Sequence, residues 1–473
     1  MTSTPNQGRP YFFCGIGGSG MLPLALILRA KGYVVEGSDR SLDQGRLGRK
    51  FEFLRDHGIA LHAQDGSGVT RAEQILVTSA AVEETVPDVQ AARRLGVPVI
   101  RRAELLAQLF NAAPQSIAVG GTSGKSTTTG MIGWILRQAG RDPTIMNGAI
   151  MKNFITAQIP FASAAVGGGE AFVSEVDESD GSIALFHPQI AVVGNISLDH
   201  KTMDELRSLF RAFVASAKTA VLNLDNEETK ALAESLSPAA TSTYSVTDPR
   251  AHLLARRIEP SPESIGFEIS ERVTGEQAAV QLQMPGIHNV SNALAAVGAA
   301  RACGVSLRAA AQALGSFSGI KRRFERVGVA NGVRVFDDFA HNPDKIAATL
   351  ATLHAFPGRL LVLFQPHGFG PLKLMKDAFI DCFATNLHDG DVLVMPEPVY
   401  YGGTVERVVT SEDIVRGIDP GHRRAFAFPD RSACGDKLVA LARPGDRIVI
   451  MGARDDTLAE FASDLVRRLA PAT

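Results

Sequence analysis

The chain has 473 residues, 45% of them hydrophobic and 21% charged, with a formal net charge of −2, which is enough apolar material for about three domain cores. The charges are interspersed and leave no basic stripe for nucleic acid, and Cys14, Cys303, Cys382 and Cys434 are too scattered for a disulfide framework or zinc knuckle. No uninterrupted apolar span of about 18 residues occurs, and the opening "MTSTPNQGRP" lacks an apolar signal core, so the expectation is a cytoplasmic enzyme that contacts neither membrane nor nucleic acid.

The first element is the strand-like "YFFC", which breaks into "GIGGSGM". Gly15, Gly17 and Gly20 fit G-x-G-x-x-G, a turn that brings backbone N–H groups at a helix N-terminus up to a pyrophosphate. The apolar helix "MLPLALILRAKG" and the strand "YVVEGSD" follow, and Asp39 closes that strand where a dinucleotide-binding domain places a ribose-binding acid. Any phosphate-bearing ligand can use this geometry, so a nicotinamide oxidoreductase and a binder of some other phosphate-bearing ligand are both open at this point.

Strand-like runs then alternate with helical patterns: "QILVTSA", "VPVI", "SIAVGG", "AFVSEVD" and "IAVVGNI". The alternation predicts parallel sheets flanked by helices, with a first domain boundary near residue 112. "SIAVGGTSGKSTTTGMIGWIL" is the sharpest chemical signal. A strand enters a glycine-rich loop, Lys125 and Ser126 follow Gly124, and a helix continues, which is the context of a phosphate-binding P-loop. Backbone N–H groups cradle the phosphates, Lys125 neutralises their oxygens, and the Ser126 hydroxyl suits Mg²⁺. The next two strands end in "SEVDESD", with Glu175, Asp177, Glu178 and Asp180, and in "NISLDH", with Asn195, Asp199 and His200. A solvated acidic turn or a cation-facing cluster fits the first run. From about residue 237 to 285, short segments such as "SIGFEISE" and "AAVQLQMPG" predict antiparallel hairpins on the middle domain. After the linker "LGSFSGIKRRFERVG", the strands "VRVFDDF", "RLLVLFQ", "DVLVMPE" and "DRIVIMG" predict a last domain beginning near Gly319.

Taken in order, "GIGGSGM", "GGTSGKSTTT", "SEVDESD", "NISLDH", "GIHNVSNALAA", "KRRFERVG", "DDFAHNPDK" and "LLVLFQPH" resemble the bacterial Mur ligase family over almost the whole chain. The resemblance implies an α/β protein of three domains: a Rossmann-like UDP-sugar domain over 1–112, a central ATPase domain over 113–318 with a parallel sheet and a small antiparallel one, and a Rossmann-like C-terminal domain over 319–473. It implies an ATP-dependent amide ligase of peptidoglycan precursor synthesis, in which a UDP-N-acetylmuramate carboxylate becomes an acyl phosphate and an amine displaces the phosphate. ATP and Mg²⁺ are the implied cofactors, and an amino acid, L-alanine in the most similar branch, or a short peptide in a muropeptide-recycling relative, is the implied acceptor. Monomer and homodimer are both compatible.

By motif match, the resemblance implies catalytic roles for Lys125, Glu175, His200 and Arg323. It assigns ATP to Gly121, Thr122, Ser123, Gly124, Lys125, Ser126, Thr127, His288, Asn289, Asn292, Arg323 and Asp338, and the metal to Ser126, Glu175 and His200. The UDP-sugar falls to Gly15, Gly17, Gly18, Ser19, Gly20, Met21, Asp39 and Ser79, and the acceptor to His341, His367 and Lys373. Asn289 and Asn292 also suit helix capping, and Arg322 with Arg323 also reads as a solvated linker pair. Three departures from the family pattern stand out. "FQPHGFGPLKLM" has Gly368, Phe369, Gly370 and Pro371 where the alanine-adding branch carries arginines, residues suited to a bidentate grip on an acceptor carboxylate. "KTMDELRSLFRAF" passes directly into a helix after His200, and Ser123 occupies a position commonly held by histidine.

Overall fold

The computed structural model describes residues 8–80, 82–198, 201–398, 407–419, 421, 424–453 and 455–470. Its described residues form three sheets, as the alternating pattern predicts. The first contains β1 (Tyr11–Cys14), β2 (Val35–Ser38), β3 (Ala60–His62), β4 (Ile75–Thr78) and β5 (Val99–Arg101), all parallel in the order β3-β2-β1-β4-β5. "YFFC" and "ILVT" are buried along their whole length, as central parallel strands covered by helices on both faces must be.

The second sheet has ten strands: β6 (Gln115–Gly120), β7 (Thr144–Met146), β8 (Ala164–Ala165), β9 (Ala171–Glu175), β10 (Ile190–Val193), β11 (Thr219–Asn223), β12 (Thr241–Ser245), β13 (Leu253–Pro260), β14 (Ile265–Glu271) and β15 (Gln277–Leu282), in the order β15-β14-β13-β12-β11-β10-β6-β9-β7-β8. The strands that carry the second glycine loop and the acidic run, β6 and β9, lie side by side and parallel, with Val119 opposite Glu175. The predicted hairpins are β13 to β15, antiparallel and continuous with the parallel part. Burial alternates along β14, the mark of a sheet covered on one face.

The third sheet has β16 (Glu325–Ala330), β17 (Val333–Asp338), β18 (Leu360–Gln365), β19 (Val392–Pro396), β20 (Ala425–Phe428) and β21 (Arg447–Gly452), in the order β16-β17-β21-β18-β19-β20. β16 is antiparallel and the rest parallel. β21 thus inserts between β17 and β18, so the loops after these three strands converge on one edge, where open α/β sheets bind ligands.

The chain divides into two compact units, Met1–Pro260 with Ser264–Ile320, and Ser261–Glu263 with Lys321–Thr473. The first two sheets therefore share one unit, and a continuous apolar core joins them. It includes Tyr11, Phe13, Leu105 and Phe110 from the first part, and Phe172, Phe186 and Phe210 from the second. Phe110 lies 5.7 Å from Phe172 and 5.3 Å from Phe186 between ring centroids. The four cysteines are buried and free, and burial pushes the Cys14 thiol up to about 12. No helix among the described residues is long and apolar enough to cross a membrane.

Candidate functional site

The first glycine turn connects β1 to the helix Met21–Ala30. Gly15 takes φ +82°, a left-handed conformation that favours glycine, and the N–H groups of Gly15 and Ile16 donate to Ser38 O at the end of β2. Asp39 is 9% exposed. Its carboxylate accepts from Gly17 N–H at 2.9 Å and from Ser41 N–H at 2.8 Å, so it ties the turn to β2. Gly18, Ser19 and Gly20 face outward, and the N–H groups of Ser19 and Gly20 make no hydrogen bond among the described residues. Met21 N–H donates to Gly18 O, and its side chain lies in the core with Leu24, Ala25 and Leu28. Ser79, just past β4, is half-buried, and its carbonyl accepts from Val82 and Arg101.

The second glycine loop connects β6 to the helix Lys125–Gln138. Gly121 has φ +122°, and a Cβ there would stand 2.9 Å from Asn195 O. Asn195 clamps the loop: its backbone carbonyl accepts from Thr122 N–H at 3.1 Å, its Oδ1 accepts from Ser123 N–H at 2.9 Å, and its Nδ2 donates to Ser123 O at 3.0 Å. Gly124 caps the helix at φ +84°, with the Asn292 amide in the space a Cβ would need. Lys125 Nζ donates to Gly121 O at 2.7 Å and to both oxygens of Glu178, at 2.8 and 3.1 Å. Ser126 Oγ donates to Glu175 Oε2 at 2.7 Å, so two of the predicted metal-site residues meet; the third, His200, lies outside the described residues.

Around this pair the backbone is close. A Cβ at Gly148 would collide with Glu175 Oε1, and Asn147 Nδ2 donates to Ser126 O at 2.8 Å. Burial works to raise the Asp177 carboxyl, but hydrogen bonds from Ser179 and the charges of Lys125 and Arg102 outweigh it and hold Asp177 below the ordinary carboxylate range. Thr127 is buried. A hydrogen-bonded chain runs from Thr128 Oγ1 to Asn292 Oδ1, from Asn292 Nδ2 to Asn289 Oδ1, and from Asn289 Nδ2 to Pro285 O. Asn289 is 2% exposed, so it orients Asn292 from inside the fold, while His288 is exposed at the start of the helix Ile287–Ala302.

In the second unit, Arg322 is not a solvated linker charge. It is 7% exposed, adopts φ +59°, pairs with Asp337 at 3.2 Å, and donates to Gly452 O and Asp455 O. The neighbouring Arg323 stands over the Phe339 ring, 4.2 Å from its centroid. Asp338 accepts from Thr349 Oγ1 at 2.5 Å. His341 hydrogen-bonds Phe339 O through Nδ1 and lies 5.2 Å from His367 between ring centroids. Burial, aided by Lys345, His367 and Arg323, pushes the His341 imidazole down to about 3, which keeps it neutral near pH 7. Lys373 is exposed on the short helix Phe369–Leu374, and Arg407 stands over Phe369 at 5.8 Å.

Five further residues shape these sites without a motif role of their own: Glu178, Asn195, Gly148, Arg102 and Arg407. Glu178 lies in "SEVDESD" and Asn195 in "NISLDH", whereas Gly148, Arg102 and Arg407 carry no local sequence signal.

Comparison with known proteins accords with this arrangement. Descriptions of the Mur ligase family match in succession: the catalytic domain over 10–113, the Mur ligase middle domain over 119–300, and the glutamate ligase domain over 322–454. The chain is 37% identical over 472 residues to the UDP-N-acetylmuramate--L-alanine ligase of Mesorhizobium japonicum, covering 97% of each. It is also 37% identical over 464 residues to that of Agrobacterium fabrum, covering 94% of each. Among solved structures, the UDP-N-acetylmuramate-alanine ligase MurC of Thermotoga maritima shares the fold at TM-score 0.77 and 23% identity, over 97% of this chain and 98% of that one. The murein peptide ligase of Psychrobacter arcticus aligns at TM-score 0.73 and 26% identity, over 98% of this chain and 100% of the other.

Proposed function

The chain belongs to the Mur ligase family, and from that premise we propose that it is a cytoplasmic, ATP-dependent ligase that joins L-alanine to the carboxylate of UDP-N-acetylmuramate. The observation that carries this reading is the pairing of two unlike glycine sites in one compact unit. The first has open N–H groups at Ser19 and Gly20 for a sugar-nucleotide diphosphate, and the second has Lys125 and Ser126 for a nucleotide triphosphate.

The muramoyl carboxylate oxygen attacks the γ-phosphorus of ATP, the β,γ P–O bond breaks, and ADP departs. The amine nitrogen then attacks the acyl carbon, phosphate leaves with the electron pair of the C–O bond, and the nitrogen loses a proton to give the amide. Attack of one anion on another needs preorganised positive charge, which Lys125 supplies once phosphate replaces Glu178 as its partner. Ser126 and Glu175 offer hard oxygen donors suited to Mg²⁺, which retains water and takes substrate oxygens as ligands; no group of three His, Cys, Asp or Glu among the described residues forms a fuller cage. Bound Mg²⁺ would neutralise phosphate charge beside Lys125. In the second unit, motif match makes Arg323 and Asp338 the proposed ATP residues and His341, His367 and Lys373 the proposed acceptor residues. Monomer and homodimer both accommodate this reading.

A second reading, a ligase for a short muropeptide, is favoured by the run Gly368–Pro371, which offers no guanidinium for the carboxylate of a free amino acid. Phosphate release from ATP, measured with UDP-N-acetylmuramate and a panel of amino acids and muropeptides, tests both. Release with L-alanine supports the first, release confined to peptides replaces it with the second, and no release with any amine overturns the ligase reading.

A further inference from the structure

We propose that Gly148 is a positioning residue for the divalent cation: lacking a side chain, it leaves the Glu175 carboxylate the place beside Ser126 from which that ion is held. The proposal rests on the reading of Ser126 and Glu175 as the Mg²⁺ site.

Two glycines of the second loop are explained by their backbone. Gly121 and Gly124 take φ +122° and +84°, where a side chain is strained whatever the space around it. Gly148 lies outside that region, so its backbone does not call for glycine. What excludes a side chain there is a single group. The three atoms nearest to a Cβ at Gly148 all belong to the Glu175 carboxyl: the carboxyl carbon at 3.2 Å, Oε2 at 3.8 Å, and Oε1, which it would strike outright. The same carboxylate accepts from Ser126 Oγ through Oε2 at 2.7 Å. One oxygen is therefore given to the serine, and the other rests in the space that Gly148 leaves open.

The backbone at Gly148 is held on both sides, so the carboxylate is the group that would give way. Asn147 is fully buried. Its N–H donates to Ser163 O at 2.9 Å, its Nδ2 donates to Ser126 O at 2.8 Å, and its Oδ1 accepts from Ala149 N–H at 3.0 Å. Retreat of residue 148 would strain these bonds and pull on Ser126 itself. Glu175, by contrast, is a half-buried, flexible side chain at the end of β9, so an added methyl group turns its carboxylate away from Ser126 and leaves the fold in place. Mg²⁺ demands near-octahedral oxygen placement, and a displaced carboxylate lowers its affinity.

The test is Mn²⁺, a hard divalent ion with a paramagnetic signal, titrated by electron paramagnetic resonance into the full chain with the β,γ-methylene analogue of ATP. Wild type is compared with Gly148→Ala, Glu175→Asp, Glu175→Gln and the double variant Gly148→Ala/Glu175→Asp. Gly148→Ala should weaken Mn²⁺ by about tenfold, the scale of a residue that orients a metal ligand, while metal-free affinity for the analogue and the thermal midpoint stay near wild type. In the Glu175→Asp background, whose shorter carboxylate clears the added methyl, Gly148→Ala should cost nothing further. Should Gly148→Ala lower the midpoint, Glu175→Asp in the same chain should restore it. Three outcomes would overturn the role of Gly148 while leaving the metal reading intact, provided Glu175→Gln weakens Mn²⁺. They are Mn²⁺ affinity within about twofold of wild type in Gly148→Ala, an equal loss in both backgrounds, and a lowered midpoint that Glu175→Asp does not restore. Wild-type Mn²⁺ affinity in Glu175→Gln would overturn the metal reading and this proposal with it.

Discussion

The two glycine sites use the same device, a strand that breaks into glycines at the start of a helix, yet they are in opposite states. At the first, Ser19 and Gly20 keep unengaged N–H groups and Arg102 stands without a hydrogen-bonded partner among the described residues. At the second, Asn195 accepts from Thr122 and Ser123, and Lys125 is neutralised by Glu178. On the proposed reading, the first is preformed for its anion, whereas the second exchanges an internal carboxylate for a phosphate. Binding energy at the second site is partly consumed by that exchange, a cost that preorganisation spares the first.

The largest expected effect is at the second site. Lys125→Ala should lower the rate of phosphate release by roughly 10²–10³, the usual cost of one preorganised charge contact, while calorimetric affinity for UDP-N-acetylmuramate stays as in wild type. A matching loss of sugar-nucleotide affinity would erase the distinction between the sites. Next comes the first site. Asp39→Ala frees Gly17 N–H and removes one of the ties between the turn and the end of β2, so KM for the sugar nucleotide should rise about tenfold, in line with one lost charged hydrogen bond, with KM for ATP unchanged. If KM for ATP rose instead, Asp39 would belong to the other nucleotide.

A smaller and opposite effect should follow from Glu178→Gln. In the free protein, Lys125 keeps Gly121 O but loses its charged partner, and the thermal midpoint should fall. With ATP bound, a carboxylate has been removed from beside phosphate, so ATP affinity should tighten by roughly fivefold, the scale of a partly screened charge interaction. By linkage, ATP should then raise the variant's midpoint more than the wild type's. Unchanged or weaker ATP binding would mean that Glu178 is not a competitor for Lys125.

Legibility from sequence followed the range of the interaction. The strands β1, β4, β10 and β18 are almost wholly apolar runs and can be read directly, as can both glycine loops, because the residues of each loop are adjacent in the chain. Short edge strands such as β3 and β8 carry too few residues for a period to register. Which of four carboxylates takes Lys125 depends on the turn after β9, where Ser179 engages Asp177 and leaves Glu178 for the lysine. Met21 sits in a glycine motif, while its spacing to Leu24, Ala25 and Leu28 marks the buried face of the helix. Arg322 looked solvated as one of three successive cations, but its Asp337 partner arrives only when β17 forms. Arg102 reaches Gly20 through the pairing of β5 with β4 and of β4 with β1, a relation no local pattern contains.

The smallest effect probes the group that feels both sites. Asp177 is held below its ordinary value of 3.8, with Lys125 and Arg102 both contributing against burial. A carboxyl whose folded value is depressed contributes stability above its unfolded value, and that contribution is lost as pH falls through the folded one. Denaturation midpoints of Asp177→Asn should therefore lie below wild type near neutral pH and converge with it below about pH 3.8. Lys125→Ala and Arg102→Ala should each move the acid limb of the wild-type curve to higher pH, the lysine variant further. If neither variant moved the acid limb, Asp177 would feel neither cation, and the contrast between an open first site and a self-neutralised second would lose its electrostatic basis.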